Sequence, residues 1–310
     1  MERKRGTKTM EEAINSFLND TKVKLLKGKV KESTFSRYSF ICEKHIAPYF
    51  ADTTLDKLND KAINNFIEDK LSSKGLSPKT VHDMTCVLLQ VIKKHFKYNL
   101  DITKPSYSQS EISIFTDIEY NRLKTYLSVG IDSKKLGIII TMLTGLRIGE
   151  LCALKWKDIN LDTGIITINK TMQRIKTTNS KDKSKTKIII DAPKSKASIR
   201  TIPIPEILLH KLKSFQSNDN TYLLTNTADY IEPRMYQRHF KSYLEACSIK
   251  DNNFHTIRHT FATMAIAKGV DIKTVSILLG HTDVSFTMKR YVHPNMEHKR
   301  EQIEKLASGF

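Results

Sequence analysis

From Thr9 to Asn99 apolar residues recur at intervals of three and four, the spacing that lines one face of a helix. Ile14, Phe17 and Leu18 form a first stripe, opened by Thr9 with Glu12 three positions on, which is a capping-box pattern. Ser33 or Thr34 is positioned to cap a second helix carrying Phe35, Tyr38, Ile41, Cys42 and His45, and Pro48 ends it. Ala62, Ile63, Phe66, Ile67 and Leu71 predict a third helix, stopped near Gly75. Ser77-Pro78 reads as an N-cap followed by proline in the first turn of a fourth, with Val81, Val87, Leu88, Val91, Ile92 and Phe96 for its buried face. Together these predict a small helical bundle.

The period is lost from Asn99 to Ser113 (NLDITKPSYSQSEIS), where Pro105 and several serines mark an exposed connection. Beyond it Thr116 and Glu119 repeat the capping-box spacing, and Tyr120, Leu123 and Leu127 continue a helix. Between Gly164 and Pro205 the pattern changes to short β-branched runs, GIITINKT, TKIIIDAP and SIRTIPIP, which predict three antiparallel strands. After Thr221 the helical period returns. The expected organisation is a basic arm over 1–8, a helical domain over 9–104, a linker over 105–112, a second domain over 113–294 and a tail helix over 295–310. The fold class is mainly α with a small antiparallel sheet.

The 310 residues carry 51 Lys+Arg against 33 Asp+Glu, a net charge of +18. So basic a globular chain calls for a polyanion, with nucleic acid ahead of an anionic membrane. No apolar run approaches the roughly 20 residues needed to span a bilayer, and no apolar segment follows the basic residues of the first positions. A cytoplasmic protein without membrane partners is therefore expected. Cys42, Cys86, Cys152 and Cys247 lie far apart without metal-ligand spacing and read as small buried hydrophobes.

Three segments of the second domain set polar groups into apolar surroundings: TGLRIGEL (144–151), HTIRHTFAT (255–263) and LLGHTDVSFTMKRY (278–291). Taken singly, Arg147 reads as a surface or capping residue, His255 and Arg258 as a decorated helix face, His281 as a helix start and Tyr291 as core. Taken together they supply two planar guanidinium forks for phosphate oxygens, histidines that bond or move protons near neutral pH, and a tyrosine hydroxyl.

Arg147, His255 and Arg258 in HTIRH, His281 in LLGH and Tyr291 ten residues later resemble, in order and context, the Arg, His-x-x-Arg, His and Tyr constellation of the tyrosine recombinases. PKSKASIRTIPI and LGHTDVSFTMKRYVHP are most similar to the integrases of phages and conjugative transposons. The resemblance covers almost all of the second domain, while the helical domain fits the family's core-binding domain by size and pattern.

It implies a site-specific recombinase whose two domains clamp double-stranded DNA. Tyr291 would attack phosphorus, forming a 3′-phosphotyrosine and freeing a 5′ hydroxyl, on the way to a Holliday junction. His255 would accept the tyrosine's proton, Arg147 and Arg258 would stabilise the phosphoryl charge and His281 would donate a further hydrogen bond. The family's hairpin lysine falls on Lys194, with Lys196 as the alternative general acid, because alternation puts both on one side. Glu150 matches an acidic position that supports the active-site arginine, or is an exposed helix acid. Lys176, Lys181, Lys183 and Lys185, with Lys187, lie between the predicted strands and either face DNA or form a solvated loop.

No metal, cofactor or ATP is expected, since arginines carry the charge a cation would supply. The partners implied are DNA, three further copies in a homotetramer, and an accessory directionality or DNA-bending protein. Ile303 and Leu306 would dock the tail helix either in cis or on a neighbouring protomer. His255 and His259 are four apart, but a zinc hydrolase needs Glu after the first histidine, where Thr256 stands; His259 then reads as packing. Two rival classes remain: a noncatalytic DNA-binding protein of the same fold, and a type IB topoisomerase-like enzyme.

Overall fold

The computed structural model describes residues 8–51, 53–93, 102–108, 112–177, 184–193 and 195–291, together with 296, 300, 303, 304 and 307; of Lys196 it describes the backbone alone. Two compact units form. One comprises Met1–Ser110 and Ile175–Lys187, the other Glu111–Arg174 and Ile188–Phe310.

In the first unit α1 (Met10–Leu26) starts at a complete capping box, Thr9 Oγ1 accepting from the Glu12 amide while the Glu12 carboxylate accepts from that of Thr9. The second helix, α2 (Glu32–Ile41), has its N-cap before both expected capping residues, Ser33 and Thr34. Its N-cap is Lys31, with no side-chain cap, and Glu32 supplies negative charge to the positive end of the helix dipole instead. It widens into a π turn, Cys42–Ile46, before Pro48, whose missing N–H and fixed ring stop the helix. α3 (Asp60–Glu68) is capped by Asn59 and runs into a second π turn, Asp69–Ser73. α4 (Pro78–Ile92) has Ser77 as N-cap and Pro78 in its first turn, where no amide is needed. Ile46, Leu58, Ile63, Phe66 and Leu88 are fully buried at the centre. Phe96 lies outside the described residues.

The segment 175–187 belongs to this unit although the sequence pattern assigns it to the second domain. Ser36 Oγ donates to the Lys176 carbonyl at 2.8 Å, Lys187 pairs with Glu32 at 2.5 Å, and the Lys176 ammonium stacks on the Phe40 ring.

The second unit opens with α5 (Asp117–Ser128), entered through the Thr116–Glu119 capping box. α6 (Ser133–Thr144) and the short α7 (Ile148–Ala153) follow. Strands β1 (Ile159–Asn160), β2 (Ile165–Ile168), β3 (Thr171–Lys176), β4 (Thr186–Asp191) and β5 (Arg200–Pro203) form two sheets rather than one set of three. β2 pairs antiparallel with β1 and β5, setting Ile166 opposite Ile202, while β4 pairs with β3. The three predicted runs are all strands. The partner of the middle one is TMQRIK, a strand without strict alternation in which Met172 and Ile175, three apart, are the buried positions.

Helices α8 (Glu206–Phe215), α9 (Pro233–Ala246), α10 (His255–Ala267), α11 (Ile272–Leu279) and α12 (Val284–Tyr291) complete the unit. Its core joins Leu123, Leu136, Ile140 and Leu151 to Ile166, Ile202, Tyr236, Phe240 and Phe254. A separate small cluster, Ala262, Val275, Leu279 and Tyr291, ties α10, α11 and α12 together. Of the tail, Met296, Arg300, Ile303, Glu304 and Ala307 are helical; Ile303, expected to dock, is 63% exposed, and Leu306 lies outside the described residues. Cys42 and Cys152 are buried, whereas Cys86, on α4, and Cys247, the C-cap of α9, are only half-buried.

No helix among the described residues is long and apolar enough to cross a membrane.

Candidate active site

Helix α6 stops at Gly145, which takes the left-handed conformation (φ +66°) that glycine reaches without a steric penalty. The chain then re-enters a helix at α7, with Arg147 as N-cap and Glu150 three residues on. The Glu150 carboxylate accepts from the Arg147 amide at 2.9 Å and from Arg147 Nη1 at 2.8 Å. Facing it from β5, Arg200 donates Nη1 and Nη2 to the two carboxylate oxygens at 3.0 and 2.9 Å, a bidentate pair. Glu150 is therefore a buried acid, 3% exposed, and not a helix-surface one. Burial alone would raise its pKa, but the hydrogen bond and charge of Arg200, joined by Arg147, hold it down to about 2.

Helix α11 ends at Gly280, again left-handed (φ +63°). Its last carbonyls collect three arginines from three other elements. Leu278 accepts from Arg200 Nε at 2.6 Å, Leu279 from Arg258 Nη2 at 2.6 Å and Gly280 from Arg147 Nη2 at 3.2 Å. The negative end of the helix dipole and its unsatisfied carbonyls make this a natural seat for guanidinium groups.

Arg258, on α10, is 3% exposed and also donates Nη1 to the Gly145 carbonyl at 2.7 Å. Burial and then the charge of Arg147 bring its pKa down to about 9, so it remains a cation at neutral pH.

His281 lies just after Gly280, with Nε2 3.0 Å from Arg258 Nη2 and Nδ1 2.8 Å from Thr287 Oγ1. A guanidinium can only donate, so Nε2 is the acceptor and the ring proton sits on Nδ1. The expected donation from His281 to a phosphate thus finds the ring accepting from Arg258 instead. Burial, followed by the charges of Arg258, Arg147 and Arg200, lowers its pKa to about 3 and keeps it neutral.

Arg147, Glu150, Arg258, Gly280 and His281 line one cavity of about 960 Å³. His255, at the start of α10, is exposed to it, and its ring makes no hydrogen bond among the described residues. Desolvation by the cavity wall, then Arg258 and Arg147, lower its pKa below the ordinary histidine value. Tyr291, the last residue of α12, also lines the cavity and is 7% exposed. Burial raises the pKa of its hydroxyl, with the positive charge of Arg258 opposing.

The Tyr291 hydroxyl does not touch His255, the expected proton acceptor. It lies 2.6 Å from Nδ1 of His259, one turn further along α10. His259 is half-buried in the wall, and burial, then His255 and Arg290, lower its pKa to about 4.

Pro193 and Ser195 line the cavity, while Lys194 and the Lys196 side chain lie outside the described residues, as do Lys181 and Lys183. Lys176 and Lys185 are exposed in the first unit, Lys176 resting on Phe40.

Sequence reasoning passed over Arg200 and Arg290 and read His259 as packing. Arg200 carried a signal: it alternates with Ile202 on the inward face of β5, where an arginine needs a buried acid. The fourfold step from His255 put His259 on the same helical face, but only the return of α12 brings Tyr291 to it. Among the described residues no group of three or more His, Cys, Asp or Glu side chains could hold a metal ion.

Residues 115–298 match the phage integrase family, and residues 9–71 match its N-terminal SAM-like domain. The chain is 29% identical to a XerC-like tyrosine recombinase of Caldanaerobacter subterraneus subsp. tengcongensis, over 90% of this chain and 79% of that protein. Its fold is similar to that of the Tn1549 transposon integrase in complex with transposon right end DNA (TM-score 0.72, 18% identity, 95% of this chain and 99% of that one). It is also similar to lambda integrase in a tetramer bound to a Holliday junction (TM-score 0.65, 17% identity, 94% and 80%). With more than half its length matched, and with an arginine-lined cavity holding a tyrosine hydroxyl, the chain belongs to the phage integrase family and is a tyrosine recombinase.

Proposed function

We propose that this recombinase is the integrase of a mobile genetic element, cleaving and rejoining DNA through a 3′-phosphotyrosine and a Holliday junction, as a homotetramer and without metal or ATP. The observation that carries the reading is the convergence of Arg147, Arg258, His255, His281 and Tyr291 on one cavity. Likeness to a transposon integrase and to a junction-bound tetramer supports the mobile-element role and the assembly.

In this reading a DNA phosphate enters the cavity and takes up N–H groups of Arg147 and Arg258. Three of the N–H directions of Arg258 already face protein acceptors, so its fork is fixed before the phosphate arrives. Such preorganisation stabilises the charge that develops on the nonbridging oxygens as the tyrosine attacks. Oη of Tyr291 bonds to phosphorus, the bond to the 5′ oxygen breaks, and Lys194 or Lys196 gives that oxygen its proton. The new diester keeps the energy of the old one, so a 5′ hydroxyl from another strand reverses the step. Glu150 and Arg200 hold Arg147 in place from behind, and the net charge of +18 draws the duplex in.

The test uses a duplex carrying the element's end, nicked just past the cleavage position so that the covalent intermediate is trapped. After incubation in EDTA and denaturation, a DNA-shifted band should map to Tyr291 by peptide mass. Tyr291→Phe should bind DNA nearly as well and give no band. Covalent product from that variant, or specific binding by the wild type without any adduct, would overturn the reading.

A further inference from the structure

We propose that His259 is a catalytic residue of this recombinase: its Nδ1 orients the Tyr291 hydroxyl and takes the proton as Oη attacks phosphorus. The inference rests on the reading of Tyr291 as the nucleophile.

Geometry carries it. The Oη to Nδ1 separation is 2.6 Å, within reach for direct transfer. His255 faces the same cavity, but its ring packs against that of His259 at 6.0 Å between centroids, and no hydrogen bond joins it to Tyr291. Desolvation first, and then His255 and Arg258 from α10 and Arg290 from α12, keep His259 neutral. A neutral imidazole offers one bare nitrogen, and a phenol is the stronger donor of the two, so the proton lies on oxygen and points at Nδ1. A phosphate monoanion in the cavity offsets the arginine charges and favours the imidazolium that forms. The balance is closed: the Oη–P bond forms, the P–O5′ bond breaks, the phenolic proton passes to Nδ1, and the separate lysine acid protonates the 5′ oxygen.

The test compares wild type, His259→Ala and His259→Asn on the nicked duplex, and on the same duplex with sulfur in place of the bridging 5′ oxygen. Sulfur leaves without a general acid, so it rescues defects at the leaving group and not at the nucleophile. With DNA affinity held, adduct formation should slow by roughly 10²–10⁴-fold in both variants. It should stay slow on the sulfur duplex, and added imidazole should restore part of the rate in His259→Ala. Near wild-type rates in either variant, or full rescue by sulfur, would overturn the proposal. No adduct from the wild type would instead remove the nucleophile reading beneath it.

Discussion

Four hydrogen bonds from two arginines converge on the Glu150 carboxylate, and that makes one residue the keystone of both stability and site geometry. Truncating one member of such a buried pair leaves an uncompensated charge, so Glu150→Ala should cost about 3–5 kcal/mol, read from unfolding followed at the sole tryptophan, Trp156. The same residue fixes part of the acid response. Its folded pKa of about 2 lies below the ordinary 4.5, so the unfolded chain binds the proton first. Glu150 thus contributes stability above pH 4.5 that is lost as pH falls towards 2, about 3 kcal/mol in all at about 1.4 kcal/mol per pH unit. His259 and His281, neutral in the fold down to about 4 and 3, act earlier: their contribution is present above the ordinary 6.5 and fades as pH falls below it. Glu150→Gln should flatten only the lower stage of the unfolding midpoint against pH; an unaltered lower stage would contradict the assignment. At this scale the resemblance to the tyrosine recombinases, and not residue spacing, pointed to Arg147, His255, Arg258, His281 and Tyr291 as one group, and all five line one cavity. It did not reveal which atom each would bond, since the Tyr291–His259 contact depends on how α12 packs against α10.

The C-terminus of α11 shows how a helix end becomes a positioning device. Its carbonyls hold Arg200, Arg258 and Arg147, and the left-handed Gly280 turns the chain so that His281 follows immediately. A Cβ at Gly280 would sit 3.0 Å from Arg200 Nη1 and 3.2 Å from the Ala197 carbonyl. At Gly269, also left-handed with φ +85°, a Cβ would meet nothing within 4 Å. Gly269→Ala should therefore cost about 1 kcal/mol of backbone strain and leave adduct formation unchanged. Gly280→Ala should cost more, up to about 3 kcal/mol, and slow the adduct as Arg200 shifts against Glu150. Equal effects in the two variants would mean that the carbonyl platform tolerates displacement. Helix starts were legible where a side chain makes the cap, as at Thr9, Ser77 and Thr116. They were misread at α2, where a charged first turn replaces the cap, and strand partners were misread because alternation marks a face and not a neighbour.

For the molecule as a whole, the charge of +18 and the arginine cavity act on different steps, and salt separates them. In the proposed reading, encounter with DNA depends on exposed lysines, such as Lys176 and Lys185, whose fields are screened beyond about 10 Å at 0.1 M salt. If a site engages about 6–10 phosphates, affinity should fall by roughly 10³–10⁵ between 50 and 200 mM salt. In that reading the chemical step draws on Arg258, buried at 3% exposure and held by two backbone carbonyls, where mobile ions barely reach. At protein concentrations that saturate the nicked duplex, the rate of adduct formation should therefore change by less than about tenfold over the same salt range, given the weak screening of buried charge. Tyr291→Phe should show the same salt slope in binding as the wild type, because the hydroxyl meets no phosphate until the site is filled. A chemical rate that falls in parallel with affinity, at proven saturation, would place exposed lysines rather than the buried arginines at the reacting phosphate.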